Sequence, residues 1–217
     1  MKHATILVLG VIAVTGCNPT MAPPLRTTHY GAPARMSHHR VEVSGAGTIY
    51  GSGGAWGGLR VAPGLRVELG TDLRFVDEEN WALGGAGLRY TVDGRNAKLW
   101  GVAFDIELGA ALGVGGVLDE NNADGRSWNH RLAGGGYLGL GVGAYMTRHF
   151  ALFLRTRGQV SGARGIPTTL WGSALGGFEI AWGHVAWYVA GGAAGYRNDA
   201  DAAFGATAET GLSLRLF

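Results

Sequence analysis

The sequence predicts an all-β fold, an antiparallel up-and-down transmembrane β-barrel of ten strands, with eight as the alternative count. Three observations carry this expectation. From Val41 onward the residues alternate between a wholly apolar face and a face of Gly, Arg, Asp and Glu, as in Leu65-Arg-Val-Glu-Leu-Gly-Thr-Asp-Leu-Arg-Phe75. A period of two is the strand period, because successive side chains leave a strand on opposite sides. The cations of the charged face are arginines, and lysine occurs only at Lys2 and Lys98. Aromatic residues gather on the apolar face near one end of the strands.

The first residues do not fit that pattern. Lys2 and His3 precede an apolar run from Ala4 to Val14, followed by Val14-Thr-Gly-Cys17. A short cationic start, a short apolar core and small residues describe a secretory signal over 1–16. The run is too short for a membrane-spanning helix, which needs ~20 apolar residues. Val14-Thr-Gly-Cys17 resembles the lipobox of bacterial lipoproteins, which implies lipidation at Cys17 and, with Asn18 following, sorting to the outer membrane. Cys17 is the single cysteine, so no disulfide forms within the chain. Residues 17–40 carry Pro19, Pro23, Pro24 and Pro33 with little apolar periodicity, and read as a lipidated, disordered tether. His29, His38 and His39 lie in it without a fixed frame, so no metal is expected.

Residues 41–217 form the barrel domain. Strands are expected near 41–50, 54–62, 65–76, 81–92, 97–115, 131–147, 149–161, 168–182, 185–197 and 203–217. Tight turns join them at Pro63-Gly64, Asp93–Asn96, Arg148-His149 and Gly183-His184. The gaps at the other end, 77–80, 118–130, 161–167 and 198–201, are mostly longer and more acidic, and only Gly51-Ser-Gly53 is short on that side. Short turns at one end and longer loops at the other are the asymmetry of outer-membrane barrels. With the short turns facing the periplasm, ten strands place both termini there, as a lipid anchor on the inner leaflet requires.

The charged face is expected to point into the lumen. It holds Glu42, Arg60, Arg66, Glu68, Asp72, Arg74, Arg89, Asp105, Glu107, Arg155, Arg157, Glu179, Glu209 and Arg215. Arginine suits confined bidentate pairs, whereas a solvated face usually includes lysine. Glycines such as Gly101, Gly109, Gly135, Gly139, Gly141 and Gly143 share that face, and a narrow lumen needs small residues beside long ones. Tyr90, Trp100, Phe150, Trp182 and Trp187 sit on the other face near the short turns, as an interfacial girdle does. Phe75 and Phe204 form a thinner upper ring. An arginine on the lipid side near the midplane would cost ~2–4 kcal/mol, so energetics favour the same orientation.

On these residues the chain resembles small bacterial outer-membrane β-barrels of the opacity and OmpA-like type. The resemblance covers roughly 41–217 and includes the terminal Leu212-Ser-Leu-Arg-Leu-Phe217. It implies a bacterial outer-membrane location, lipid as the surrounding partner, and recognition of the C-terminal strand by the barrel-assembly machinery. Phe217 departs from the pattern by falling on the parity of Ser213 and Arg215.

The sequence names no task. Net charge of +2 with no basic stripe argues against nucleic acid. Ser44, Ser173 and Ser213 face the lumen, no His-x-Ser occurs, and His130 lies beyond a long gap from Asp72, so no enzyme is expected. Glu120-Asn-Asn-Ala-Asp124-Gly125 resembles a calcium loop, but Arg131 stands where the bidentate Glu belongs, so neither metal nor other cofactor is expected. Trp56, Tyr137, Tyr145, Tyr188 and Tyr196 add bulk to the lumen face. The expectation is therefore a monomeric barrel with a filled lumen and a structural or surface-interaction role, its surface partner unspecified. The alternatives are a narrow porin-like channel for small solutes and an outer-membrane enzyme acting on lipid or peptide.

Overall fold

The computed structural model describes residues 22–29, 31–32, 39–76, 79–93, 101–119 and 127–216. Ten antiparallel strands, joined in sequence order, close into one barrel in which β1 returns to pair with β10. They are β1 (Val41–Thr48), β2 (Ser52–Ala62), β3 (Leu65–Val76), β4 (Glu79–Asp93), β5 (Gly101–Asp119), β6 (Ser127–Tyr145), β7 (Phe150–Ala163), β8 (Ile166–Trp182), β9 (Val185–Arg197) and β10 (Ala202–Leu216). The count is ten, not eight. Closure leaves no open sheet edge, which is what a sheet surrounded by lipid requires.

Along the strands more buried residues alternate with more exposed ones, most regularly in β7. Ala151, Phe153, Arg155, Arg157, Gln159 and Ser161 are buried, while Leu152, Leu154 and Val160 are exposed. The exposed face is a continuous apolar band that includes Leu59, Leu69, Leu88, Leu108, Leu138, Leu140, Leu170 and Leu212. Every buried charge of the wall therefore points into the lumen.

Glycine placement follows the bulk of the lumen. Trp56 pairs directly across from Gly70, Trp81 from Gly115, Tyr137 from Gly109, and Tyr188 from Gly211. At all four positions a Cβ would collide with the aromatic opposite. The ring lies flat over the glycine, so the pair occupies the volume of one large side chain.

On the outer face Tyr90 and Trp182 are exposed, and near the lower turns Phe150 stacks on Phe178, which meets Trp187 edge-on. Phe75 and Phe204 are exposed at the upper end. Trp100, Cys17 and Phe217 lie outside the described residues.

The expected loop asymmetry is not seen among the described connections. At the upper end, 49–51, 164–165 and 198–201 are as brief as 63–64, 146–149 and 183–184 at the lower end. β7 and β8 run on past Ser161 and meet at Arg164-Gly165, where Gly165 takes a φ of 74°. The polar composition of 161–167 suggested a loop. Hydrogen bonding of the backbone continues through it regardless of side-chain polarity.

Candidate functional site

The lumen is filled by the chain's own N-terminal segment. Residues 22–29 and 31–32 run through it as irregular chain, with neither helix nor strand, and all are buried except half-buried Thr27. The expectation of a free tether over 17–40 is corrected for this stretch. Backbone groups withdrawn from water need partners, and here side chains of the wall supply them.

The contacts fix the direction of travel. Ala22 N–H donates to Thr169 Oγ1 (2.9 Å), and Trp171 Nε1 donates to Ala22 O (2.9 Å), both near the start of β8. Arg26 N–H donates to Gln159 Oε1 and its carbonyl accepts from Gln159 Nε2, each at 2.9 Å. Arg157 donates to Thr28 O (2.7 Å), and Arg155 donates to Gly31 O (2.7 Å). Ala32 N–H donates to Glu179 Oε2 (2.8 Å). His39 O then accepts from Arg66, and Arg40 O accepts from Arg60 N–H at 2.8 Å, beside the lower turn of β2 and β3. The segment thus descends from the upper rim to the lower one before β1 turns upward at Val41.

The charges explain why it stays. The buried wall carboxylates are Glu42, Glu68, Asp72, Asp105, Glu107, Glu179 and Glu209, against buried wall arginines 66, 89, 155, 157 and 215. The segment brings the missing donors. Arg26 meets Glu68 at 2.8 Å and lies 3.6 Å from Glu107, with its guanidinium 4.0 Å above the Trp56 ring. Thr27 donates to Asp72 through its N–H (3.1 Å) and hydroxyl (2.9 Å), and Trp56 Nε1 completes that carboxylate at 2.7 Å. His29 N–H donates to Glu209, which also accepts from Tyr188.

The remaining wall charges pair with one another. Arg89 bridges Glu68 (3.1 Å) and Glu107 (2.7 Å), Arg157 bonds Glu107, and Arg155 bonds Asp105 at 2.7 Å. Lower down, Arg215 grips Glu179 through two bonds of 3.0 Å and reaches Glu42 at 3.1 Å, which also accepts from Arg66. Arg60 and Arg74 are half-buried towards the two rims. Arg74 faces the Trp171 ring at 6.0 Å.

The structure also makes one contact that wall residues alone could not suggest. His29 Nε2 lies 2.8 Å from Ser173 Oγ, and its Nδ1 lies 3.1 Å from Glu209 Oε2. The absence of a His-x-Ser motif does not keep a histidine from a luminal serine, because this histidine arrives on the segment and not on a strand. A cavity of about 110 Å³ adjoins these groups and is lined by Ser173, His29, Glu209, Arg74, Trp171 and Thr207. Sequence reasoning also missed Arg26, Thr27 and Gln159, and the luminal apolar cluster of Trp81, Leu83 and Ala133. For Arg26 the sequence carried no signal, since the lumen face holds seven acids and seven arginines, and only the structure shows Arg60 and Arg74 to be half-buried towards the rims.

No family model matches the chain, and no curated protein matches it. Among solved structures it is similar to the N-terminal β-barrel domain of Pseudomonas aeruginosa OprF, at 13% identity and TM-score 0.40 over 80% of this chain and 93% of that one. It is also similar to LpxR from Salmonella typhimurium (11% identity, TM-score 0.38, 82% and 99%). A third likeness is Acinetobacter baumannii outer membrane protein Omp33 (12% identity, TM-score 0.28, 83% and 100%).

Proposed function

We propose that this chain is a bacterial outer-membrane barrel that closes its own lumen and serves as a structural or surface-interaction scaffold. The observation that carries the proposal is the N-terminal segment, whose backbone and side chains bond the wall from Thr169 at the upper rim to Arg60 at the lower. The apolar outer band supports placement in lipid, and the aromatic row near the lower turns supports an interface at that level. A luminal Arg and carboxylate network gives geometric restraint more than net stability, which suits a rigid scaffold.

The direction of the segment bears on the anchor. Ala22 stands at the upper rim, and about five residues span at most ~18 Å when fully extended. A lipid on Cys17 is thereby held to the membrane face at the upper rim, and a hydrocarbon core of ~30 Å separates it from the other face. With the lower turns in the periplasm, the acyl chains belong to the outer leaflet.

Planar-bilayer recording tests the scaffold reading. The full chain is expected to be silent. Steady nanosiemens openings would favour the porin-like alternative, and a chain soluble and monomeric without detergent would end the membrane reading.

A further inference from the structure

We propose that Ser173, His29 and Glu209 form a nucleophilic acyl-transfer site at the upper mouth of the lumen, acting on esters with a short acyl group. This goes beyond the scaffold reading and needs the N-terminal segment seated as that reading has it. The geometry is that of an activated serine. Ser173 Oγ is 2.8 Å from His29 Nε2, within reach for proton transfer. His29 Nδ1 is 3.1 Å from Glu209 Oε2, and an ionised carboxylate offers only acceptors, so Nδ1 carries the hydrogen and Nε2 presents its lone pair to the serine.

Glu209 is itself fixed. It accepts from the His29 backbone N–H at 2.8 and 2.9 Å and from the Tyr188 hydroxyl. Acid and base are therefore held by the same residue of the segment, through side chain and backbone together. Glu209 is a positioning residue, and Ser173 and His29 are the groups that meet the substrate.

The cavity sets the substrate class. Its volume of about 110 Å³ suits a short acyl group. Ser173 is only half-buried, unlike Ser213 and Ser44, which are enclosed deeper in the barrel. Arg74 and Thr207, both hydrogen-bond donors of the kind that stabilise a developing oxyanion, line the same cavity.

In the reaction Ser173 Oγ adds to the ester carbonyl carbon while its proton passes to His29 Nε2. The acyl C–O bond then breaks, and the leaving alcohol takes that proton. Water gives a proton to His29 Nε2 as its oxygen adds to the acyl carbon. Ser173 Oγ departs, recovers the proton, and the carboxylic acid is released.

The test uses the full chain folded in detergent micelles, a fluorophosphonate probe, and p-nitrophenyl acetate beside p-nitrophenyl octanoate. Labelling is expected at Ser173, lost in Ser173→Ala and reduced on the order of 100-fold or more in His29→Gln. Acetate should turn over faster than octanoate. Bilayer recording of the same preparations reports whether the segment is seated. A silent, unlabelled wild-type protein would leave the three residues as an attachment for the segment and overturn the site while sparing the scaffold reading. A conducting, unlabelled protein would overturn both, and labelling that persists in Ser173→Ala would overturn the site.

Discussion

Replacing Arg26 with Ala should release the N-terminal segment without unfolding the barrel. Arg26 is 1% exposed, donates to Glu68 at 2.8 Å, and sits 4.0 Å over the Trp56 ring. A hydrogen bond to a charged group contributes about 1.5–3 kcal/mol. A desolvated cation over an aromatic ring adds up to about 2 kcal/mol. Breaking a buried pair can cost ~3–5 kcal/mol when the partner is left uncompensated. Here Glu68 keeps Arg89, and Glu107 keeps Arg89 and Arg157, so the lower figure applies. A loss of ~3 kcal/mol corresponds to about a 100-fold rise in the unseated fraction.

A buried thiol reads that fraction directly. Thr28 is fully buried, and its Oγ1 has no hydrogen-bond partner among the described residues, so Thr28→Cys removes no bond. In a Cys17→Ser background, maleimide reacts at position 28 only when the segment leaves the lumen. Adding Arg26→Ala should speed that reaction about 100-fold while the heat-dependent gel shift of the folded barrel is retained. An unchanged reaction rate would show that Arg26 does not hold the segment and refute the electrostatic account of closure.

Three further outcomes follow from the wall and the segment. Gly31→Ala should destabilise the seated segment by about 1–3 kcal/mol, because φ is +25° and the new Cβ would press on Glu179 Oε2; faster maleimide reaction in the Thr28→Cys background would show it. Gly109→Val should cut refolding yield by overpacking against Tyr137, whereas Gly158→Ala, with open space around the added methyl, should leave yield unchanged. Leu140→Arg, level with Thr156 in mid-β7, should lower unfolding stability in urea by about 2–4 kcal/mol, and an effect near zero would mean that this face does not meet hydrocarbon.

Strands and facing were legible because both are local. Leu65–Phe75 declares its two faces by alternation alone, and the structure exposes Leu69, Leu73 and Phe75 while burying Arg66, Glu68 and Asp72. The luminal segment was not legible, because its partners lie far along the chain. Ala22 bonds Thr169, and His29 bonds Glu209. Its proline-rich, aperiodic composition is that of a linker. A strand-free segment satisfied by side chains leaves no periodic signature. The same blindness hid the histidine beside Ser173. Loop lengths misled for a different reason: polar residues near 161–167 said nothing of whether their backbone stayed paired.

Closure of the barrel and filling of the lumen are one event in this architecture. The segment leads directly into β1, which at Val41–Thr48 is the shortest strand and forms the seam with β10. A segment that reached the upper rim after the seam had formed would have to thread a lumen already crowded by Trp56, Tyr137 and Tyr188. Laying it against the open sheet before β1 meets β10 avoids that passage. The seam is then fastened where the segment ends. Glu42 and Arg215 face each other across it, Arg215 extends to Glu179, and Glu179 holds Ala32 of the segment. Arg215→Met therefore removes a link shared by seam and segment. In the Thr28→Cys background it should speed maleimide reaction and lower barrel stability together, whereas Arg26→Ala affects the segment alone. If Arg215→Met changed barrel stability with no change in that reaction, seam and segment would be independent.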